Sequence, residues 1–253
     1  MSVPQSAQYN VITKAKKPLP SWLPLIIGGV LVALFAGLGA WQVSRGFEKR
    51  IEHQVFADET GFATWHDGMD ITPYQRLQVT GTYDNEHQVL LDNIIVNSRN
   101  GYYVITPLRG SGEGSVLLVN RGWIERTNEP FDTSSLSVPA EWVTVRGRVG
   151  SLPRAGMKMG DAFTPGDNWP KSAVYPSYEE MAAALGTDLQ SFVLLLDQEE
   201  EHGFSRQWTP GGFGPDKHFG YALQWFAMAA VLSGLLIWNY RKKKFINDRN
   251  QTR

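Results

Sequence analysis

The residues best suited to chemistry stand together near the end of the chain, at Pro215-Asp-Lys-His218-Phe-Gly-Tyr221-Ala-Leu-Gln-Trp225-Phe226. On a helix, His218, Tyr221, Ala222 and Trp225 fall on one face. A neutral imidazole is a good metal ligand, and haem iron is commonly held by a histidine. Tyr221 and Trp225 would then cover a flat apolar group, and Ala222 leaves room for one. A histidine at lipid-headgroup depth, hydrogen-bonded to backbone or lipid, has the same spacing, so the pattern alone leaves both readings open. The other histidines, His53, His66, His87 and His202, show no metal-ligand spacing. No Ser-His-Asp order, phosphate-binding glycine loop or catalytic carboxylate pair stands out, so no enzymatic turnover is expected.

His218 sits at the mouth of an apolar stretch, residues 219–240, and a second such stretch, residues 22–41, lies near the start. Each is close to the ~20 residues that carry a helix across ~30 Å of hydrocarbon. Outside them, residues 1–21 and 241–253 hold nine basic residues against the single Asp248, a net +8; the overall charge of −1 leaves the middle at −9. Basic residues mark the cytoplasmic end of a span, so both tails are expected inside and residues 42–218 outside. Arg45, Lys49 and Arg50 oppose this assignment but are outnumbered. The first stretch is longer than the 7–15 apolar residues of a secretory signal, and residues 1–21 hold no arginine, unlike a mitochondrial transit peptide. The reading is a multi-pass protein of a bacterial cytoplasmic membrane. Trp22, Trp238 and Tyr240 suit an inner aromatic belt, and Trp41, Tyr221 and Trp225 an outer one.

If the two stretches pair as antiparallel helices, Arg45, one turn beyond Trp41, reaches the depth of His218. Its guanidinium can pair with carboxylates there, or with lipid phosphate, Glu48 or Asp216. Gly29, Ala33 and Gly37 recur every four residues, and Ala222, Ala230 and Gly234 have compatible spacing; small residues let helices approach closely in lipid.

The middle segment holds no cysteine, hence no disulfide, thiolate nucleophile or thiolate metal site, and is large enough to fold on its own core. It reads as short strands: 76–83 and 88–91 as a hairpin turning at Asp84-Asn85-Glu86, then 101–106, 115–123, 142–149 and a buried strand at 192–196. Ser177 with Glu180 forms a capping box for a helix running to Leu185, with Gly186 at its C-cap. The fold class is therefore α+β: two transmembrane helices flanking one mainly antiparallel β domain, curled or closed, with a short helix. Asn120-Arg121-Gly122-Trp123 is a candidate partner-binding corner, although such an arginine is more often tied up in its own domain. Residues 151–170, with Met157 and Met159, and residues 203–215, with Arg206 and Trp208, lack a regular pattern and are either functional loops or solvated connectors.

Taken in order, these residues resemble the Surfeit locus protein 1 family. The motifs are Gly39-x-Trp41-Gln42-x-x-Arg45-x-x-x-Lys49, Val79-x-Gly81-x-Tyr83-Asp84, Gly101-Tyr-x-Val-Ile-Thr-Pro107-Leu108, Val119-Asn-Arg121-Gly122-Trp123, Trp169-Pro170, Gly203-Phe204-x-Arg206-x-Trp208 and Pro215-x-x-His218-x-x-Tyr221-Ala-x-x-Trp225-Phe226. The resemblance covers both spans and nearly all of the middle. One departure is Asp216-Lys217 where Asn-Asn is common. The resemblance implies an assembly factor for haem-copper cytochrome c oxidase, with His218 as ligand to the iron of haem a and Tyr221, Trp225, Arg45 and Trp41 around it. The implied partners are oxidase subunit I, haem a synthase and membrane lipid, with no nucleic acid. A scaffold that stabilises subunit I without touching haem is the alternative, and a two-anchor sensor domain is a weaker third.

Overall fold

Regular structure follows the local signals closely in the middle of the chain and outruns them at both ends. The computed structural model describes residues 20, 22–110, 114, 116–127, 132–154, 160–166 and 168–251. The elements in order are α1 (Leu23–Ala57), β1 (Ala63–Thr64), β2 (Arg76–Tyr83), β3 (Val89–Val96), β4 (Arg99–Arg109), β5 (Val116–Glu125), β6 (Val143–Gly150), β7 (Lys171–Ala173), α2 (Tyr178–Leu185), β8 (Leu189–Leu196) and α3 (Pro215–Gln251). The expected tail 1–21 is almost wholly outside the described residues, as are Met157, Met159 and Ser115.

The chain divides into two compact units: Met1–Ile51 with Gly212–Arg253, and Glu52–Gly211. The first holds α3 and all but the last turns of α1, and both helices are long and apolar enough to cross a membrane. The expected edges at 41/42 and 218/219 are not helix ends. Hydropathy falls there, but no proline or capping residue stops the backbone ladder, so α1 runs on to Ala57. Similarly α3 begins at Pro215, where a missing N–H costs nothing, and continues to Gln251.

The second unit is a β domain. Its strands run in the order β1-β2-β6-β8-β5-β4-β3-β7, and β2 also pairs with β4 through Thr82↔Arg109 and Tyr83↔Leu108. Strands β2, β6, β8, β5 and β4 therefore close into a five-membered ring. Most neighbours are antiparallel, while β1–β2, β3–β7 and β5–β8 are parallel. The turn at Asp84 forms, with its carboxylate accepting the backbone N–H groups of Glu86 and His87 at 3.0 and 3.1 Å. The hairpin expected around it does not, because β3 pairs with β4 and β7 rather than β2.

Side-chain alternation divides the ring between two cores. Leu77, Val79, Leu117, Val119, Val145, Val149, Phe192, Leu194 and Leu196 form one. Leu91, Ile105, Leu118, Val193 and the fully buried Met181 of α2 form the other. The second half of β8 is covered on both faces, which explains why Phe192–Leu196 is continuously apolar instead of alternating. Helix α2 is fastened as its sequence indicates: Ser177 Oγ accepts from Glu180 N at 3.2 Å, Glu180 Oε2 accepts from Ser177 N at 2.8 Å, and Gly186 takes the left-handed conformation at φ 64°.

Candidate functional site

The helix pair positions His218. A Cβ on Gly28 would strike Leu236, one on Gly39 would strike Phe226, and one on Gly46 would strike Phe219. Position numbers rise on α1 as they fall on α3, so the helices run antiparallel. The less exposed positions alternate by fours and threes: Gly28, Val32, Phe35, Gly39, Gln42, Gly46 and Lys49 on α1, and His218, Ala222, Trp225, Ala229, Leu232 and Leu236 on α3. This 3.5-residue period is that of a left-handed helix pair. Large side chains of one helix fill glycine notches of the other.

The expected packing face is therefore corrected. Gly29 and Gly37 have nothing within 4 Å, and neither has Gly234, whereas Ala222 is buried at 3% exposure. A strict four-residue repeat drifts around a helix, while a seam needs alternating steps of four and three.

Within this apolar seam two polar side chains meet: His218 Nδ1 lies 2.8 Å from Gln42 Oε1, and the imidazole is half-buried. The Phe213 ring stands edge-on, with centroids 6.5 Å apart and planes at 67°. Lys217 Nζ lies 4.7 Å from the Phe213 centroid, and Arg50 lies 4.9 Å from that of Phe219, so cations flank the aromatic end of α3.

The other residues expected around His218 are placed differently. Trp225 is half-buried but spends its ring on Phe35, at 5.7 Å between centroids. Tyr221 is 44% and Trp41 55% exposed, both turned out of the seam. Arg45 is exposed and closely ion-paired with Glu48, one of the alternatives its spacing allowed. Thus the seam joins His218 to Trp225 and not to Tyr221, Trp41 or Arg45. Gln42 was missed as a site residue. Its signal was available, since it is a polar residue in the three/four rhythm of the apolar stripe.

In the β domain, the corner at Arg121 belongs to the interior. Between Tyr103↔Trp123 and Ile105↔Asn120, β5 advances three residues against two on β4, a bulge at Arg121-Gly122. Gly122 has φ 117°, and a Cβ there would sit 2.8 Å from Ser205 O. The bulge turns Arg121 inward, to 1% exposure. The guanidinium donates to His202 O (2.8 Å), Leu136 O (2.7 Å), Gln88 Oε1 (3.1 Å) and Thr106 Oγ1 (3.3 Å). Burial pushes its pKa down to about 10, with the Tyr83 phenol opposing, so it stays a cation at neutral pH. Burial likewise pushes Tyr83 up to about 12. A side chain so enclosed has no face for a partner, which corrects the expected role of Arg121.

Trp123 donates Nε1–H to Ile94 O at 3.0 Å and covers Gly101. Arg206 caps the turn after β8, donating to Asp197 O, Glu200 O (2.9 Å) and Gln198 O (3.1 Å). Trp208 donates to Leu196 O at 2.8 Å and leans on Tyr103, at 5.5 Å between centroids. The Arg121, Arg206 and Trp208 side chains, with the backbone bridge of Trp123 to Ser205, tie residues 202–208 to β5 and to the end of β8, so that part of the patternless segment is anchored. No cluster of three or more His, Asp or Glu able to hold a metal occurs among the described residues.

Comparison with known proteins gives one family model and three relatives. A model of the SURF1 family matches residues 29–230. The chain is 25% identical over 247 residues to a "SURF1-like protein" of Monosiga brevicollis, covering 86% of this chain and 89% of the relative. It is 25% identical over 229 residues to "Surfeit locus protein 1" of Rattus norvegicus, covering 79% and 70%. A Drosophila melanogaster "SURF1-like protein" is 25% identical over 259 residues, covering 92% and 81%. With the match running from the first helix through the seam histidine into the second, this chain belongs to the SURF1 family.

Proposed function

We propose that this chain is an assembly factor for haem-copper cytochrome c oxidase that holds haem a through His218 and assists its insertion into subunit I. The observation carrying this reading is the state of the imidazole: half-buried in an apolar seam, with Nδ1 engaged by Gln42 and Nε2 making no hydrogen bond among the described residues. A neutral histidine bonded at one nitrogen is the usual form of a metal ligand, so the donor fits haem iron. When bound, haem a supplies a redox-active iron whose chemistry serves the oxidase.

The remaining work falls to side chains of this chain. Gly39 and Gly46 let the helices close, and the rings of Phe226 and Phe219 seal the seam on either side of Gln42. Tyr221 and Trp41, exposed beside the seam, are available to a flat apolar ligand, and Arg45 to its carboxylates once released from Glu48. Holding through one histidine would suit a carrier that must give up its cargo, with a Kd on the order of 1 μM, about −8 kcal/mol. Subunit I and haem a synthase are the partners in this reading. Trp208 and Trp123, half-exposed, are surface candidates for the former, and Arg206 contributes by shaping the turn between them. In this reading the β domain lies outside a bacterial cytoplasmic membrane, an orientation that the basic tails support.

The test is a visible spectrum of the protein purified from cells that make haem a, repeated for His218→Ala. A haem band in the parent that is lost in the variant, with helical content unchanged by circular dichroism, supports the carrier. Absence of a band from both, with haem a in ample supply, overturns it in favour of a haem-free scaffold for subunit I.

A further inference from the structure

Gln42 faces His218 across the seam, and its amide oxygen lies 2.8 Å from Nδ1. That oxygen can only accept, so the imidazole proton is on Nδ1. In the neutral ring Nε2 is then the nitrogen with the free lone pair. We propose that Gln42 is the positioning residue of this site: it selects the tautomer of His218 and sets the ring angle, so that Nε2 is presented as a ligand before any iron arrives. The proposal rests on the haem reading above and adds a residue to it.

Two features make Gln42 more than helix glue. Towards the middle of the helices the seam beside it is built from Gly28, Val32, Phe35 and Gly39 on α1 and from Ala222, Trp225, Ala229 and Leu232 on α3, while Lys49 lies two seam positions beyond it on the other side. A half-buried amide there gains the helix pair little, because a hydrogen bond between helices in lipid returns hardly more than its desolvation costs. A leucine would serve the seam better, so pairing of the helices does not account for the amide. Second, Gln42 has little freedom. The seam positions before and after it, Gly39 and Gly46, are closed by Phe226 and Phe219, with ring carbons 2.8 and 2.7 Å from where a Cβ would lie. The amide is held between two filled notches and can hold the imidazole in turn. An amide oxygen receiving the Nδ1 proton also makes Nε2 a stronger donor, the usual part of an outer partner to a metal-bound histidine.

The experiment compares the full-length chain with Gln42→Leu and Gln42→Glu in lipid nanodiscs, using two readouts. The first, without haem, is nitrogen NMR of histidine-labelled protein, which tells a protonated ring nitrogen from a bare one. The second is titration with haem a, following affinity and the position of the Soret band. The parent is expected to carry its proton on Nδ1. Gln42→Leu, still helical, is expected to show mixed tautomers and to bind haem a roughly 10–100-fold more weakly. Gln42→Glu keeps an acceptor at the same reach. It should retain the Nδ1 proton, bind within a few-fold of the parent, and shift the Soret band because the acceptor is stronger. A parent proton on Nε2, or a Gln42→Leu variant with an unchanged tautomer or unchanged affinity, overturns the proposal. If the parent takes up no haem a, the carrier reading falls and the haem-positioning role of Gln42 with it. That failure is distinguishable, because the tautomer arm needs no haem.

Discussion

Arg121 and His218 are both polar side chains set among apolar neighbours, and the chain treats them in opposite ways. Around Arg121 in the β domain, four acceptors converge on one guanidinium, and a bulge with a left-handed-side glycine exists to turn it inward. No carboxylate is among its hydrogen-bond partners; carbonyls and neutral side chains solvate the charge. Around His218 in the helix pair, one nitrogen is bonded and the other has no hydrogen bond among the described residues. A buried group whose hydrogen bonds are complete holds a fold together. A group left with a lone pair to spare, in a seam that gains little from it, is held ready for something else. The first kind of residue breaks the structure when lost, and the second breaks the function.

The largest expected effect follows from Arg121→Ala. It removes four hydrogen bonds from a charged donor, each worth about 1.5–3 kcal/mol, although Leu136 O keeps the Gln88 amide and Gln88 Oε1 keeps the Thr106 hydroxyl. Loss of more than about 3 kcal/mol is expected, a large share of the ~5–15 kcal/mol that holds an ordinary domain. Urea unfolding followed by tryptophan fluorescence measures it. Arg121→Lys keeps the charge but loses the fork, and should fall between the two. An Arg121→Ala domain as stable as its parent would return Arg121 to the surface role that the sequence suggested.

Next in size is the seam itself. Gly39→Leu drives a side chain into the ring of Phe226 and should cost about 1–3 kcal/mol of helix pairing, whereas Gly37→Leu, with open space around it, should cost almost nothing. Because the chain has no cysteine, the same point can be put to a crosslinking test. Cysteines replacing Gly28 and Leu236 should oxidise to a disulfide, and cysteines replacing Gly29 and Leu236 should not. Equal crosslinking would mean that the seam lies on another face.

The contrast also explains what could be read from the sequence alone. Strand β2 was legible to the residue because Arg76–Tyr83 alternates strictly between half-exposed and buried positions, and α2 because Ser177, Glu180 and Gly186 are local signals. Closure of the ring was not legible, because it hangs on two residue pairs between β2 and β4 and on the remote parallel pairing of β5 with β8. Strands β1 and β7, of two and three residues, are too short to show a period. In the helices, small residues at four-residue spacing drew attention to Gly29, Ala33 and Gly37. The true seam uses glycines eleven and seven residues apart, because their partners are bulky residues of the other helix. His218 stood out by type. Gln42 did not, since only its distant partner gives it meaning.

The smallest thermodynamic effect should accompany the largest functional one. His218→Ala removes one hydrogen bond between helices, worth about 0.6 kcal/mol in lipid, and leaves the β domain's own contacts intact. Unfolding of the β domain in urea should therefore be indistinguishable from the parent, while the haem band disappears altogether. Gln42→Leu should likewise be nearly silent in unfolding, and should pair the helices at least as tightly by replacing an amide with a side chain that lipid and seam both accept. Arg121→Met, by the same logic, should be anything but silent, since an apolar stem of similar length restores packing yet none of the four hydrogen bonds. If His218→Ala unfolded the β domain as Arg121→Ala does, the imidazole would be a structural residue, and the distinction between a completed and a waiting polar group would fail where the function depends on it.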